Sequence, residues 1–407
     1  MIQEIKIKNF LSFKDEVTFS FLASEDKFAE ESQVVQIDKN TRLLRFAVLY
    51  GYNASGKSNL IRAFDFLKHF WKFSAKDLNS GTDVLCFKLD SVSSNNSTEF
   101  ELIFYVEKRK YLYQLKLNEK EVLLEKLSYF KDVKEIMLFE RRFENNQSVI
   151  CFNDSEEGDR VIKAAQEEIS LKCLKNISFF VARNQVNVNL PLIDAARNWI
   201  NDQFAFPTFP DTSWIYYAQS KIANDSQILK YILDFLNNAD FNITDIQSKK
   251  IEVKENSSRE EKLKFNTLFE HTVENENGAE KYQLGITEQS GGTLRTFELE
   301  SVIYEAIKRK AFLAIDEVET SLHNQLLYKL LFDFLKADST SQLIVTTHND
   351  SLLELVDDLI RKDSVYFIEK DKAGVSDLYK LIDFKGIDKL SSIREAYRYK
   401  RFGATMK

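Results

Sequence analysis

Residues 51–58 decide the fold of this chain, and they read Gly51-Tyr52-Asn53-Ala54-Ser55-Gly56-Lys57-Ser58. The stretch fits the pattern G-x-x-x-x-G-K-[ST], a loop that binds phosphate groups. The five residues before it, Phe46-Ala47-Val48-Leu49-Tyr50, form a short apolar run that predicts a buried strand. The residues after it carry apolar side chains at helical spacing. The loop therefore lies where its chemistry requires it, between a strand and a helix.

The chemistry of this phosphate-binding loop follows from its residue types. Its two glycines let the backbone bend so that N–H groups point toward phosphate oxygens, and the helix N-terminus adds partial positive charge. Lys57 would neutralise the β- and γ-phosphates, and the Ser58 hydroxyl would bind Mg²⁺. ATP and Mg²⁺ are therefore the expected cofactors. The residues predicted to contact them here are Gly51, Asn53, Ala54, Ser55, Gly56, Lys57, Ser58 and Asn59.

The composition sets limits on the class of protein. A length of 407 residues corresponds to two or three domains, and a 44% hydrophobic share is enough for a large core. The net charge of −7 excludes an overall basic field for nucleic acid and leaves only a local basic face. Three cysteines without CxxC spacing indicate a reducing compartment, with neither a disulfide framework nor a zinc site. The sequence has no apolar run of membrane length and no signal-peptide pattern at its start, so we expect a cytoplasmic protein.

The pattern along the chain predicts three regions. Residues 1–149 contain the phosphate-binding loop and then, from about residue 98, a meander of alternating strands that predicts an appended antiparallel sheet. Residues 150–242 show helical spacing and hold all three prolines, which predicts a mostly helical insertion. Residues 243–407 return to strands and helices in alternation. The expected fold class is α/β, a P-loop ATPase head with a mixed sheet, the antiparallel meander and the helical insertion.

A second motif follows a buried strand in the last region. The run Phe312-Leu313-Ala314-Ile315 is apolar and ends in Asp316-Glu317, the pattern called Walker B. Asp316 would hold Mg²⁺ through water, and Glu317 would orient and deprotonate the attacking water. Together with a phosphate-binding loop in the same chain, this pair predicts ATP hydrolysis, with Mg²⁺ bound between Ser58 and Asp316.

Two further segments fit the same chemistry. Ser290-Gly291-Gly292 opens a predicted helix one helix before the Walker B strand, so its N–H groups and dipole would face an anion. His348 follows another buried strand, one helix and one strand after Glu317. In a parallel sheet this places Glu317 and His348 at the carboxyl ends of two strands, where ligands bind. We predict that His348 senses the γ-phosphate and that Glu317 and His348 are the catalytic residues.

The order of these motifs, with Glu319-x-Ser321-Leu322-His323 after Walker B, resembles the ABC-type ATPases. The opening strand, residues 7–14, is similar to that of the soluble branch containing the SMC, RecF and OLD-like proteins. With the ending at residues 394–403, the whole layout resembles the AAA-15/AAA-21 ATPases of bacterial anti-phage systems, of the RloA/AbiLi type or like the ATPase subunit of PARIS.

The resemblance implies a homodimer or higher oligomer in which two heads sandwich two ATP molecules. Ser290, Gly291 and Gly292 would then bind the γ-phosphate held by Lys57 and Ser58 of another copy. It also implies a separate effector protein, such as a Toprim-type nuclease, because the chain after His348 is too short for a Toprim domain. A departure from the family is the lack of a clear Q-loop, for which Gln114 is a candidate and an ordinary strand residue the alternative.

Three functions remain as readings of the sequence. The first is the ATP-hydrolysing sensor or scaffold of a two-gene anti-phage system. The second is a RecF- or SMC-like ATPase that acts on DNA in repair or recombination, for which the basic and aromatic residues 385–407 are the candidate DNA-binding segment. The third, the nucleotide-binding subunit of a transporter, fits poorly with the large insertion and the opening strand.

Overall fold

The computed structural model of this chain describes residues 1–73, 77, 79–153, 160–239, 242–253, 262–276 and 278–404. Its strands are β1 (Ile2–Lys8), β2 (Val17–Ser20), β3 (Val34–Gln36), β4 (Arg42–Leu44), β5 (Phe46–Tyr50), β6 (Thr98–Val106), β7 (Arg109–Leu117), β8 (Val122–Lys131), β9 (Lys134–Glu144), β10 (Gln147–Phe152), β11 (Ile243–Val253), β12 (Lys262–Asn275), β13 (Gly278–Gly285), β14 (Phe312–Ile315), β15 (Gln342–Thr347), β16 (Val365–Lys370) and β17 (Ser376–Lys380). Its α-helices are α1 (Glu30–Gln33), α2 (Lys57–Lys72), α3 (Arg160–Lys172), α4 (Phe179–Arg183), α5 (Pro191–Asp202), α6 (Ile215–Ile222), α7 (Ser226–Asn238), α8 (Gly291–Arg309), α9 (Asn324–Lys336) and α10 (Ile393–Arg398).

The chain folds into two compact units. The first comprises Met1–Thr208, Arg309–Glu317 and Thr340–Lys407, and the second comprises Phe209–Lys308 and Val318–Ser339. The predicted helical insertion, residues 150–242, is divided between them at residue 208. Within the described residues, no helix combines the length and apolar composition that a membrane crossing requires.

A five-stranded mixed sheet organises the first unit. Its strand order is β14-β15-β5-β16-β17; the first four strands are parallel, and β17 runs antiparallel to β16. All five residues of β5 are buried, as are the four of β14 and the six of β15, because both faces of a parallel sheet are covered. Since parallel strands end at the same edge, the segments that follow β14, β15 and β5 lie side by side.

The second sheet of this unit is the antiparallel meander that the sequence predicts. Its seven strands lie in the order β10-β9-β8-β7-β6-β1-β2. Helices pack on it through aromatic side chains: the ring centroids of Phe139 and Phe179 are 3.6 Å apart, and those of Phe104 and Trp199 are 4.4 Å apart. The expected α/β class with a mixed sheet and an appended meander is thereby confirmed.

The second unit combines helices with a three-stranded antiparallel sheet. The strand order is β11-β12-β13. The buried stripe Ile228, Ile232 and Leu236 of α7 lies at helical spacing, and α7 packs on β11. Phe269 of β12 meets Phe297 of α8 with ring centroids 5.5 Å apart. This unit carries the segment Ser290-Gly291-Gly292 at the start of α8.

Candidate functional site

The loop at residues 51–58 connects the end of β5 to the first residue of α2, as the sequence predicts. Ala54 has φ +63° and Gly56 has φ +119°, so two of three consecutive positions lie in the left-handed region. Alternation of this kind forms backbone concavities that bind anions. At Gly56 an added Cβ would lie 2.5 Å from Ser376 Oγ, so both the backbone angle and the available space require glycine.

The ammonium group of Lys57 is held at this loop. Its Nζ donates to the carbonyl oxygen of Gly51 at 2.8 Å and to that of Tyr52 at 3.3 Å, and the residue is only 4% exposed. Nζ also lies 3.3 Å from His348 Nδ1. The charged group is therefore positioned by the start of its own loop and by the residue that follows β15.

Two serines from distant parts of the chain brace the loop. Ser376, on β17, donates to the carbonyl oxygen of Ser55 at 2.6 Å, and its Oγ lies 2.8 Å from Ser12 Oγ. Ser12 Oγ in turn accepts from Asn59 Nδ2 at 2.7 Å. Neither support is predictable from the sequence: Ser12 is one polar residue of the opening stretch 7–14, and a single serine on an edge strand gives no signal.

The Walker B pair follows β14, where the sequence places it. Asp316 is 4% exposed, and its Oδ1 accepts a hydrogen bond from Thr346 Oγ1 at 2.5 Å. The backbone N–H of Glu317 donates to the same Thr346 oxygen at 2.8 Å. Glu317 itself has φ +47°, a left-handed conformation that is uncommon for a residue with a side chain.

His348 stands between the other two predicted centres. It follows β15, the strand that separates β14 from β5 in the sheet. Its Nε2 lies 3.5 Å from Glu317 Oε1, while its Nδ1 faces Lys57 Nζ. The first unit therefore brings together Lys57, Asp316, Glu317 and His348 at one edge of one sheet. The Glu317 carboxylate, the His348 imidazole and the Lys57 ammonium follow one another in that order.

The structure places the predicted signature segment in the second unit. Ser290 caps α8: its Oγ accepts from the N–H of Thr293 at 3.1 Å. An added Cβ at Gly291 would meet no atom within 4 Å, whereas one at Gly292 would lie 3.2 Å from the carbonyl oxygen of Ser321. Ser290 thus caps the first turn of α8, while the space beside Gly291 is open. The role of these residues toward a nucleotide on another copy stays a prediction.

Two other candidates have structural roles. Gln114 lies on β7, and its Nε2 donates to Glu101 Oε2 at 2.9 Å, so it is an ordinary partner in the meander sheet. In the basic C-terminal segment, Arg394 and Arg398 both pair with Asp350, at 3.0 Å and 2.6 Å. Lys407, counted with that segment, lies outside the described residues.

Comparison with known proteins identifies a family. The profile of the AAA_21 family, described as "AAA domain, putative AbiEii toxin, Type IV TA system", matches residues 46–354. The matched range begins at the first residue of β5 and includes the phosphate-binding loop, the Walker B pair and His348. The AAA-21 assignment predicted from the motif order is therefore confirmed. No curated protein matches the chain.

Solved structures of SMC heads are similar to the chain at low identity. The SMC head domain from Thermotoga maritima has 15% identity and a TM-score of 0.42, covering 93% of this chain and 98% of that one. The SmcHead bound to the C-winged helix domain of ScpA has 13% identity and a TM-score of 0.48, covering 97% and 99%. The Smc head domain with an extended coiled coil, bound to the C-terminal domain of ScpA from Pyrococcus furiosus, has 13% identity and a TM-score of 0.43, covering 98% of each.

Proposed function

We propose that this chain, which belongs to the AAA_21 family of AAA-type ATPases, binds ATP and hydrolyses it to ADP and phosphate. One observation carries the proposal: Lys57, Glu317 and His348 meet at the carboxyl ends of three neighbouring strands, with His348 within 3.5 Å of both partners. A phosphate-binding loop, a carboxylate base and a histidine in that order are the groups that phosphoryl transfer to water needs.

The residues present also fit a magnesium ion. Mg²⁺ prefers oxygen ligands and is commonly held by one carboxylate, one hydroxyl and the phosphates of the nucleotide. Asp316 supplies a carboxylate at the strand end, and Ser58 supplies a hydroxyl in the first turn of α2. Among the described residues, no group of three or more His, Cys, Asp or Glu side chains could hold a metal ion by itself. When bound, Mg²⁺ would offset the negative charge of those phosphates.

Each residue then has a defined task in hydrolysis. Lys57 and the loop N–H groups bind the β- and γ-phosphates. The Glu317 carboxylate accepts a proton from the water that attacks the γ-phosphorus, and ADP leaves with the electron pair of the broken P–O bond. His348 contacts the γ-phosphate between them. In a homodimer, Ser290, Gly291 and Gly292 of the other copy bind that phosphate from its opposite side.

The biological role we propose is the sensor or scaffold of a cytoplasmic anti-phage system that acts with a separate effector protein. The family description, which refers to an AbiEii toxin and a Type IV TA system, supports a defence context. The DNA-repair alternative drew on the basic C-terminal segment. Arg394 pairs with Asp350 and Glu354, and Arg398 pairs with Asp350 and Glu395, so two cations of that segment are already paired with carboxylates, and we favour the first role.

Steady-state hydrolysis and ATP binding by the purified protein test the proposed chemistry. Lys57→Ala should abolish ATP binding, while Lys72→Ala, at the exposed end of the same helix, should leave it unchanged. Glu317→Gln should bind ATP normally, lower kcat by about 10²–10⁴-fold and stabilise a dimer, because binding is retained and the base is lost. Wild-type hydrolysis by Glu317→Gln would refute the assignment of the base.

The biological role needs a separate measurement. Co-purification of the chain with the product of a neighbouring gene supports the effector system. Salt-sensitive binding of DNA oligonucleotides by the chain alone, weakened between 50 and 200 mM salt by roughly 10³-fold or more, would instead favour the repair function.

A further inference from the structure

One buried hydroxyl links the two acidic residues of the site. Thr346 lies on β15 and is fully buried. In the sheet register, Val345 of β15 lies opposite Ile315 of β14, so Thr346 comes level with Asp316 just beyond the last paired residues. From there its Oγ1 donates to Asp316 Oδ1 at 2.5 Å and accepts from the Glu317 N–H at 2.8 Å. A single side chain thus fixes two consecutive residues of the neighbouring strand end.

The second of these bonds holds an unfavourable backbone conformation. Glu317 has φ +47°, which costs an L-residue free energy because Cβ approaches the carbonyl oxygen. The chain turns out of the strand direction at this residue, and its N–H leaves the sheet ladder. Thr346 Oγ1 gives that N–H its partner. The turn sets the starting point of the Glu317 side chain, whose Oε1 lies 3.5 Å from His348 Nε2.

A hydroxyl performs both tasks at this position, and an apolar side chain of the same shape can perform neither. A threonine hydroxyl donates one hydrogen bond and accepts others, whereas valine has nearly the same shape and neither capacity. The adjacent Thr347 has a different partner, since its Oγ1 accepts from the N–H of Asn349 at 2.9 Å. The two threonines before His348 are therefore not equivalent, although the sequence presents them as a repeated pair.

We infer that Thr346 is a positioning residue for ATP hydrolysis, acting through Asp316 and Glu317. Its hydroxyl orients the Asp316 carboxylate and holds Glu317 in the turn from which its carboxylate reaches the attacking water. This inference rests on the proposed function. Because Thr346 lies in the sheet and its contacts are with the acids, its loss affects the rate of the chemical step and leaves the binding of ATP by the loop intact.

The test compares wild type with Thr346→Val, Thr346→Ser and a matched control, Thr82→Val. Thr82 is also buried and its hydroxyl donates to the carbonyl oxygen of Asn118 at 2.6 Å, away from the site. For each protein we would measure kcat and KM for Mg·ATP, the dissociation constant of a fluorescent ATP analogue without turnover, and the thermal unfolding temperature.

The expected result separates positioning from folding. Thr346→Val lowers kcat by roughly 10- to 100-fold, the range expected when a reacting group is displaced by a fraction of an ångström to one ångström. Its KM and analogue affinity stay within about twofold of wild type, because the phosphate-binding loop is unchanged. Thr346→Ser recovers most of the rate. Thr82→Val loses unfolding temperature but keeps its kcat.

Four outcomes would overturn the inference. A wild-type kcat in Thr346→Val would show that the hydroxyl positions nothing. A rate in Thr346→Ser as low as that in Thr346→Val, or an equal loss in Thr82→Val, would assign the effect to packing or stability. If the wild-type protein neither binds the analogue nor hydrolyses Mg·ATP, the proposed function itself fails and the inference falls with it. If wild type hydrolyses Mg·ATP and Thr346→Val does so at the same rate, only the inference about Thr346 fails and the proposed function stands.

Discussion

A buried carboxyl in the second unit predicts how stability depends on pH. Glu300 lies on α8 and is 1% exposed. Burial raises the pKa of this carboxyl from 4.5 to about 8, because the ionised form would lose its hydration. The Tyr231 hydroxyl opposes the rise, the Asp333 carboxylate adds to it, and the Lys329 ammonium again opposes it. Lys329 and Asp333 form an ion pair at 2.8 Å on α9, so the charge of each largely offsets the other.

The sign of the effect follows from the number of bound protons. Between pH 4.5 and about 8 the folded protein keeps a proton on Glu300 that the unfolded chain has released. The free energy of unfolding therefore falls as the pH rises, by up to about 1.4 kcal/mol per pH unit. Over the window of about 3.5 pH units the full effect is on the order of 5 kcal/mol. Below pH 4.5 the residue is neutral in both states and makes no such contribution.

Glu300→Gln removes the titration while keeping the shape of the side chain. We expect the variant to match wild type near pH 5 and to exceed it in stability by several kcal/mol near pH 8. Urea unfolding at pH 5, 6, 7 and 8 measures this, and hydrogen exchange of the α8 amides reports the same change locally. Glu274→Gln, an exposed change in the same unit, is the control and should run parallel to wild type. Equal pH dependence in Glu300→Gln and wild type would refute the reasoning.

Two substitutions in the first unit give further tests. Gly56→Ala should abolish binding of labelled ATP, because the φ of +119° and the Ser376 Oγ, 2.5 Å from the new Cβ, both oppose a side chain. Gly278→Ala is the control: its φ is +103° but the space around it is open, so it has the backbone strain alone and should bind ATP normally. Arg141→Met should cost about 3–5 kcal/mol in urea unfolding, because it leaves the fully buried Glu125 carboxylate without its ion-pair partner at 3.2 Å. Adding Glu125→Gln should recover part of that loss. Normal ATP binding by Gly56→Ala, or no recovery in the double variant, would contradict these assignments.

The strand ends of the site were predictable because each motif is a local pattern. Residues 51–58 lie between an apolar run and a helical repeat, Asp316-Glu317 ends a second apolar run, and His348 ends a third. One rule of parallel sheets then places all three ends at a common edge. The structure has that edge, with His348 directly after the middle strand, β15. Nothing beyond local pattern and one topological rule was needed.

The supports of the site were not predictable, because they are contacts between residues far apart in the chain. Ser376 and Ser12 are separated by 364 positions, and Thr346 and Asp316 by 30. A single serine or threonine on a strand has no period and no spacing that marks it. Its partner is decided by strand order, which periodicity does not encode. These residues are found only when the sheet is assembled.

The predicted insertion illustrates the same limit. Helical spacing predicts helices in this region, and α5 and α7 bury Trp199 and Ile232 among others. It does not identify the surface that buries them. Trp199 stacks on Phe104 of the meander sheet, whereas α7 packs on β11. Residues 150–242 therefore belong to two units, although the sequence pattern predicts one helical insertion.

The C-terminal segment shows that a count of charged residues along the sequence is a poor guide to a binding surface. Counted alone, residues 385–407 are basic and aromatic. In the fold, Arg394 and Arg398 are paired with Asp350, two positions after His348. Tyr397 lies with its ring 5.5 Å from that of Phe367 and 5.8 Å from that of Tyr50, the last residue of β5. The segment therefore contacts both Asp350, two residues after His348, and the strand that leads into the phosphate-binding loop. These contacts explain Arg394, Arg398 and Tyr397 by the architecture of the first unit, so two of the basic residues that suggested DNA already have partners in the fold.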